Sequence, residues 1–309
     1  MRLEHIVSPA EDGLTLQQLL RGPLGLSGRE TRTIKQNGGV LVDGAPFFSN
    51  QPLRAGMTVC VQTADYAEGG DSLSASVLPA ADILWQDDAL VCAFKPAGLQ
   101  CHPSPSSPRG SDTLEARVSA ALGAPAHPVH RLDAETTGLV LFARLPFAQA
   151  HLQRQMADGL FFKTYRAWVF GAPQPACGKI DAPIARQSPD SFTRVVRADG
   201  QRAVSRYRTL AVRQAHGQML SLLALEPVTG RTHQLRVHMA HIGCPLLGDT
   251  RYATPRSAAL SEALGLTRHQ LSAVSVSFLH PVTGERMTLR HDAVFDAPLG
   301  AYMGDTPEE

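Results

Sequence analysis

A stretch without periodic apolar residues divides this sequence into two unequal parts. Residues 63–79 are rich in Ala, Ser, Gly and acidic residues, with Glu-Gly-Gly-Asp-Ser at their centre, a composition typical of a linker. A chain of 309 residues is long enough for a small module joined to a larger domain. We therefore predict a domain at residues 1–64, a linker at 65–79, a larger domain at 80–300 and a tail at 301–309.

The first part of the chain has the pattern of a small module with helices and strands. Leucines recur at helical spacing in residues 14–20, and a second short helix is predicted from Ser27, an N-cap residue with Glu30 as its capping-box partner. A strand that runs into a tight turn is predicted at residues 40–44, and a later strand at 53–59. This order of elements resembles the alpha-L RNA-binding module of a ribosomal small-subunit protein and of several RNA-modifying enzymes.

The second predicted helix carries a basic stripe. Arg29, Arg32 and Lys35 are spaced by three residues, so they lie roughly along one side of the helix. A stripe of this kind is often only a solvated helix face. The resemblance to the alpha-L module implies instead that the three side chains contact RNA phosphates, which position a ligand without reading its sequence.

The larger domain mixes predicted strands and helices without regular alternation. Two strand-like runs around an Asp-Asp turn occur within residues 83–94, and further runs occur at 139–143 and 165–170. Helices are predicted at 113–122 and 147–156. This order favours an α+β domain with a mixed, mainly antiparallel sheet over a doubly wound parallel sheet. The sequence contains no Gly-x-Gly-x-x-Gly segment and no Walker-type loop, which argues against a dinucleotide or ATP enzyme.

Composition leaves the binding partner open. The formal net charge is +1 and the isoelectric point is near 7.8, whereas sequence-independent phosphate binding usually shows as a strongly basic domain. Five cysteines are scattered without close pairs, which favours neither disulfides nor a Cys-x-x-Cys metal site and fits a reducing cytoplasm. No apolar run approaches the ~20 residues that a membrane helix needs. We expect a cytoplasmic monomer that does not enter membranes.

The most informative segment is His-Arg-Leu-Asp-Ala-Glu-Thr-Thr-Gly at residues 130–138, immediately before the buried strand predicted at 139–143. Polar and acidic residues at the mouth of a buried strand are positioned to act on a ligand. Alternatively, Asp133 makes a turn with the backbone amides of its neighbours, a common role of Asp near Thr and Gly. The segment alone favours neither interpretation.

A second segment, Gly-Arg-Thr-His-Gln-Leu-Arg-Val-His at residues 230–238, follows a strand predicted at 220–225. Together with His-Arg-Leu-Asp, it resembles the RluA-type family of RNA pseudouridine synthases. Further segments match in the order of the family: Lys-Pro-Ala-Gly at 95–98, Lys-Thr-Tyr at 163–165, Pro-Leu-Leu-Gly-Asp-Thr-Arg-Tyr at 245–252 and His-Pro-Val-Thr-Gly-Glu at 280–285. The resemblance covers most of residues 80–295.

Two positions depart from the family pattern. Thr137 stands where Ser is usual, a change that keeps a hydroxyl group and should be tolerated. Ser272 stands where a His is expected, which puts in doubt only a structural role near the end of the domain. Neither position carries the chemistry that the resemblance implies.

The resemblance implies an isomerase that detaches uracil from its ribose, rotates it and rejoins it through carbon, with no cofactor and no metal. Asp133 would be the essential carboxylate, either a nucleophile that captures the sugar or a base that removes a ribose proton. Arg231 would pair with Asp133, because a close guanidinium favours the ionised form of a carboxylate in a desolvated pocket. Tyr165 would stack on the uracil and help to remove the proton from carbon 5.

The implied partner is RNA, and ribosomal RNA of the large subunit is favoured over transfer RNA. A target uridine must leave its stack, and Arg131 would fill the vacancy or hold a neighbouring phosphate. A surface salt bridge is the alternative role of Arg131. Lys95 would also contact the RNA.

Three histidines suggest a competing metal-site hypothesis. His233, His238 and His241 could converge on zinc, but their spacing differs from His-Glu-x-x-His and no acidic residue lies between them. Structural hydrogen bonding is therefore their expected role.

A non-catalytic RNA-binding protein is the second competing interpretation. A decayed enzyme would have lost its reactive residues, whereas Asp133, Tyr165 and Arg231 are all present. Release of tritium from carbon-5-labelled uridine separates the two classes, because turnover requires that proton to leave and binding does not.

Overall fold

The computed structural model describes residues 2–26, 28, 31–32, 34, 39–47, 50–62, 79–103 and 111–300. The predicted capping pair Ser27 and Glu30, the basic residues Arg29 and Lys35, most of the predicted linker and the predicted tail lie outside these residues. Arg32 is described, in helical conformation with an exposed side chain. Among the described residues, no helix is long and apolar enough to cross a membrane.

The first part of the chain contains a four-stranded antiparallel sheet. Its strands are β1 (Arg2–Ile6), β2 (Val40–Val42), β3 (Ala45–Pro46) and β4 (Thr58–Gln62), in the order β1-β4-β2-β3. The turn between β2 and β3 holds Asp43 and Gly44 at φ values of 50° and 80°, the left-handed conformation that a two-residue hairpin turn requires. The strand and turn predicted at residues 40–44 are confirmed.

Helix α1 (Leu16–Arg21) packs its leucines against this sheet. It begins at Thr15, whose Oγ1 accepts a hydrogen bond from Gln18 N at 3.2 Å, so the first turn is capped. A short 3-10 helix (Pro9–Glu11) precedes it. Of the four leucines that recur at helical spacing, Leu16, Leu19 and Leu20 are buried in the helix, whereas Leu14 precedes it and is half-buried.

The larger domain is organised around a ten-stranded mixed sheet. In chain order the strands of this domain are β5 (Asp82–Gln86), β6 (Leu90–Lys95), β7 (His127–Pro128), β8 (Thr137–Ala143), β9 (Phe162–Phe170), β10 (Cys177–Asp181), β11 (Ile184–Arg186), β12 (Arg194–Val196), β13 (Val204–Ala215), β14 (Gln218–Pro227), β15 (Leu271–Leu279) and β16 (Arg286–Arg290). The main sheet has the order β10-β13-β14-β9-β15-β8-β6-β5, with β16 beside β15 and β7 beside β8, and β11 and β12 form a separate hairpin.

The pairing of β15 with β8 is parallel, and the other pairs of strands in this sheet are antiparallel. The helices of the domain are α2 (Leu114–Leu122), α3 (Pro146–Ala157), α4 (Gln234–His241), α5 (Pro255–Ala263) and α6 (Ala297–Gly300). Helices α2 and α3 match the two predicted from the sequence, and Pro146 occupies the first position of α3, where no amide hydrogen is needed. The predicted α+β class with a mainly antiparallel mixed sheet is confirmed.

The parallel contact between β15 and β8 lies directly after the His-Arg-Leu-Asp segment. Gly138 pairs with Ala273, and a Cβ added to Gly138 would lie 2.2 Å from Ala273 O, so a side chain cannot be accommodated here. Thr137 Oγ1 donates to Val294 O at 3.2 Å, and the buried Ser272 Oγ accepts from Val294 N at 3.3 Å. The hydroxyl groups at both unusual positions therefore hold the strand that follows the segment.

Candidate active site

Asp133 lies in the loop that joins β7 to β8. Thr136 N donates to Asp133 O at 3.1 Å, so the loop turns back here. Among the described residues, no backbone amide donates to the Asp133 carboxylate. The side chain is 24% exposed and lines a cleft of about 280 Å³. The carboxylate is therefore directed at the cleft and does not serve as the acceptor of a turn.

Lys95, at the end of β6, holds this loop by hydrogen bonds from its side chain. Its side chain is fully buried, and Nζ donates to Pro96 O at 2.7 Å, Leu99 O at 2.7 Å and Ala134 O at 2.5 Å. Burial lowers the pKa of this ammonium group to about 8. The prediction that Lys95 contacts RNA is wrong, because the three carbonyl oxygens use all three protons of the ammonium group. Lys95 instead fixes the residue that follows Asp133.

We expect Lys95→Met to lower the free energy of unfolding by roughly 3 kcal/mol or more, because three buried carbonyl groups would lose their donor. Urea denaturation followed by circular dichroism measures the effect. Lys179→Met is the matched control, since Lys179 is exposed and its surface pair with Asp181 contributes little. An equal loss of stability in both variants would contradict the anchoring role.

Two side chains from the start of α4 face the Asp133 carboxylate. Arg236 Nη1 lies 3.6 Å and His233 Nε2 lies 3.9 Å from Asp133 Oδ2. Arg236 is held from behind by Asp249, whose oxygens accept from Nε at 2.7 Å and from Nη2 at 2.9 Å. Burial raises the pKa of Asp249, but the hydrogen bonds and charge of Arg236 outweigh it and leave that pKa lowered. Arg236 is a fixed guanidinium between two carboxylates.

Arg231 lies in the turn before α4. Its side chain is exposed, its Nε donates to Arg202 O at 3.0 Å, and its amide donates to Gln234 Oε1 at 3.0 Å. The predicted ion pair between Asp133 and Arg231 is wrong, since Arg236 takes that place. Arg231 still lines the same cleft.

The backbone conformation of His233 explains why Arg236, and not Arg231, lies beside Asp133. His233 caps α4 with a φ of 57°, so the chain changes direction between Arg231 and Arg236. Arg236 then lies on the helix between Leu235 and Val237, both buried. An arginine between two buried apolar neighbours requires a buried partner, and that pattern was the available sequence signal for Arg236.

His233 is connected to the same network through Tyr252. The hydroxyl of Tyr252 lies 2.8 Å from His233 Nδ1, and the tyrosine ring lies 5.0 Å below the Arg236 guanidinium, within the range of a cation–π contact. Asp249 Oδ1 also accepts from Tyr252 N at 3.1 Å. Burial lowers the pKa of His233, although the charge of Asp133 opposes this.

Tyr165 and Lys163 enter the cleft from β9. They are two residues apart on the strand, so both side chains project from the same face, and both line the cleft. Tyr165 is buried, and burial together with the charge of Asp133 raises its pKa, so the phenol stays protonated at neutral pH. Burial lowers the pKa of Lys163. The exposed Arg131 lines the cleft beside Asp133.

His238 is occupied by the protein itself. Its Nδ1 lies 2.9 Å from Ser205 Oγ and its Nε2 lies 2.9 Å from Ala182 O. Within the described part of the chain, no group of three or more His, Cys, Asp or Glu side chains is placed to hold a metal ion. Structural hydrogen bonding, the role expected for His238, is confirmed.

His269 supports the Asp133 loop from behind. Its Nε2 lies 2.8 Å from Thr136 Oγ1, and burial, the largest cause, lowers its pKa from 6.5 to about 4. Between these two pH values the unfolded chain binds a proton that the folded chain does not. The free energy of unfolding therefore falls as the pH falls through this window, by roughly 3 kcal/mol at most from this residue.

We expect His269→Gln to remove much of this acid sensitivity, because glutamine can hold Thr136 without gaining a charge. The loss of unfolding free energy between about pH 7 and pH 4 should shrink by roughly 2 kcal/mol. Urea titrations at both pH values measure it. His241→Gln, at an exposed position, is the control and should leave the loss unchanged. A loss as large in His269→Gln as in the wild type would contradict the assignment.

Comparison with known proteins identifies similar chains. A family model described as RNA pseudouridylate synthase matches residues 89–241. The chain is 36% identical over 260 residues to ribosomal large subunit pseudouridine synthase D of Xanthomonas campestris. The aligned residues cover 81% of this chain and 76% of the relative. It is 34% identical over 286 residues to the uncharacterized RNA pseudouridine synthase YjbO of Bacillus subtilis, covering 91% of this chain and 94% of the relative.

Solved structures agree on the fold. Human RNA pseudouridylate synthase domain containing 4 superposes with a TM-score of 0.57 at 27% identity, covering 71% of this chain and 92% of that chain. Human RNA pseudouridylate synthase domain containing 1 superposes with a TM-score of 0.57 at 22% identity, covering 69% of this chain and 83% of that chain. This second likeness supports the fold alone.

Proposed function

Because this chain belongs to the RluA-type family of RNA pseudouridine synthases, we propose that it isomerises uridines of large-subunit ribosomal RNA with Asp133 as the essential carboxylate. The position of Asp133 in the cleft, beside Arg236 and unbound by loop amides, carries the proposal. Two relatives at 36% identity are named as synthases of the ribosomal large subunit, which favours ribosomal RNA over transfer RNA.

The reaction requires an ionised carboxylate at the sugar. The bond from ribose carbon 1 to uracil nitrogen 1 breaks, the uracil rotates, and its carbon 5 forms the new bond and loses its proton while nitrogen 1 gains one. Asp133 either captures carbon 1 of the sugar or removes a ribose proton. Both routes start from the carboxylate anion, and the Arg236 guanidinium lies 3.6 Å from it.

Tyr165 and Arg131 complete the proposed site. The buried ring of Tyr165 offers a flat apolar face for the uracil, and its hydroxyl would relay the proton that leaves carbon 5. Withdrawing the uridine from its stack costs a few kcal/mol. Arg131, exposed at the same cleft, would offset that cost by filling the vacancy or holding a phosphate.

The N-terminal domain would supply further RNA contacts. We assign residues 1–64 to an alpha-L RNA-binding domain, joined by a linker at 65–79 to the catalytic domain at 80–300. The exposed Arg32, with Arg29 and Lys35, would contact phosphates. Such contacts add affinity without base recognition.

Tritium release tests the proposed activity. A transcript of large-subunit ribosomal RNA labelled at carbon 5 of uridine should release tritium on incubation with the full chain, at an undiminished rate in excess EDTA. Sequencing of the product locates the modified uridines. Abolition by EDTA with rescue by zinc would restore the histidine metal-site hypothesis, and RNA binding without release would identify a non-catalytic binding protein.

A further inference from the structure

A second cleft adjoins the first at the β11–β12 hairpin. It has a volume of about 230 Å³, and Arg186, Arg194 and Arg231 line it. Arg231 and its neighbour Thr232 line both clefts. The two clefts are therefore adjacent at these residues.

The second cleft has an excess of positive charge. Arg186 Nη1 donates to Pro189 O at 3.0 Å, Arg194 Nη1 to Ser191 O at 3.3 Å and Arg231 Nε to Arg202 O at 3.0 Å. These acceptors are neutral carbonyl groups, which do not compensate a positive charge. Most N–H donors of the three guanidinium groups are not used by these bonds.

Among the residues that the structure describes, Asp199 is the one carboxylate that lines this cleft, and it is already paired. Asp199 Oδ1 accepts from Arg197 Nε at 2.5 Å. The Arg197 guanidinium neutralises this carboxylate, so it does not cancel the charge of the three lining arginines. An anionic group fits this cleft better than a neutral or cationic one.

The backbone of this cleft is held in place. Ile184 and Gln201 exchange two hydrogen bonds of 2.9 Å, and a Cβ added to Gly200 would lie 2.6 Å from the Ile184 backbone. Only glycine allows this approach. The amide of Arg194 donates to Tyr252 Oη at 3.0 Å, the same hydroxyl that contacts His233. The hairpin is thereby fixed relative to Asp133.

We propose that this second cleft binds the phosphate groups of the nucleotides next to the target uridine, as a single-stranded segment that continues out of the active-site cleft. The inference rests on the proposed function. Planar guanidinium groups pair bidentately with phosphate oxygens. Phe192, in the loop between β11 and β12, is 76% exposed, and exposed aromatic rings can stack on unpaired bases.

The test is a double substitution, Arg186→Gln with Arg194→Gln, in the full chain. Binding of a fluorescent single-stranded oligouridylate should weaken about tenfold, and the plot of log affinity against log salt should become shallower by about 1.4, because two phosphate contacts are lost. Tritium release at RNA concentrations below saturation should fall by about the same factor, because less RNA is bound.

Arg206→Gln is the matched control, because Arg206 is exposed on β13 and lines neither cleft. It removes one positive charge, and we expect little change in affinity or salt slope. Equal binding by the double variant and the wild type, or an equal loss per charge in Arg206→Gln, would overturn the inference. Absence of tritium release from the wild type would instead overturn the proposed function, and the binding measurement would still decide the role of the cleft.

Discussion

Asp133→Asn is expected to lower the rate of pseudouridine formation by at least roughly 10³-fold, because it removes the negative charge that either route of the reaction uses. Asparagine has nearly the same size and shape. The Asp133 carboxylate accepts no hydrogen bond from the described loop amides, and Lys95 holds the loop through the Ala134 carbonyl. The backbone of the loop should therefore remain in place.

Glu135→Gln is the matched control for this substitution. Glu135 lies in the same loop, is exposed and loses the same charge, so its variant should keep turnover within about twofold. RNA affinity should persist within a few fold in both variants, because it comes largely from phosphate contacts and base stacking. Single-turnover tritium release and a binding titration measure the two quantities. Release by Asp133→Asn within tenfold of the wild type, with the fold intact by circular dichroism, would remove Asp133 from the mechanism.

The elements of the larger domain were predictable because they depend on local patterns. The continuous apolar run at 139–143 is the buried strand β8, and the pattern at 147–156 is α3. The parallel partner of β8 was not predictable, because Gly138 meets Ala273 far away in the sequence. Periodicity indicates which face of a strand is buried, but it does not identify the strand that covers its edge.

The candidate site was predictable in part for the same reason. The motifs indicated Asp133 and Tyr165, and both line the cleft. Lys95 was misassigned because a lysine beside a motif looks available for RNA, whereas its buried ammonium group binds two carbonyl oxygens of the turn that follows it and one of the Asp133 loop. Local sequence does not show which backbone oxygens will converge on one ammonium group.

The two arginines of one motif were harder still to separate by sequence. Arg231 and Arg236 are five residues apart, and the left-handed backbone of His233 between them decides which one points inward. A positive φ at a non-glycine residue is uncommon, and although histidine adopts it more often than most residues do, the sequence does not show that His233 does. The cleft of Arg186 and Arg194 was missed for a related reason, since its charges come from separate strands.

Arg236→Lys should lower turnover about a hundredfold or more while RNA affinity stays within a few fold, because it keeps the charge but loses the guanidinium fork. Arg236 uses Nε and Nη2 on Asp249 and leaves Nη1 near Asp133. A lysine ammonium has one nitrogen and cannot hold both carboxylates in this geometry. The variant should also lose roughly 1–3 kcal/mol of stability, since buried Asp249 would lose at least one of the two hydrogen bonds that Arg236 donates to it.

Arg231→Lys separates the structural assignment from the one that the motif suggested. Arg231 is exposed and bonds a backbone carbonyl, so its lysine variant should turn over within about threefold of the wild type and show a modest loss of RNA affinity. Rates at saturating RNA, measured for both variants at a temperature where each is folded, give the comparison. A slow Arg231→Lys enzyme beside a fast Arg236→Lys enzyme would restore Arg231 as the partner of Asp133, and the 3.6 Å approach of Arg236 would then have no part in the chemistry.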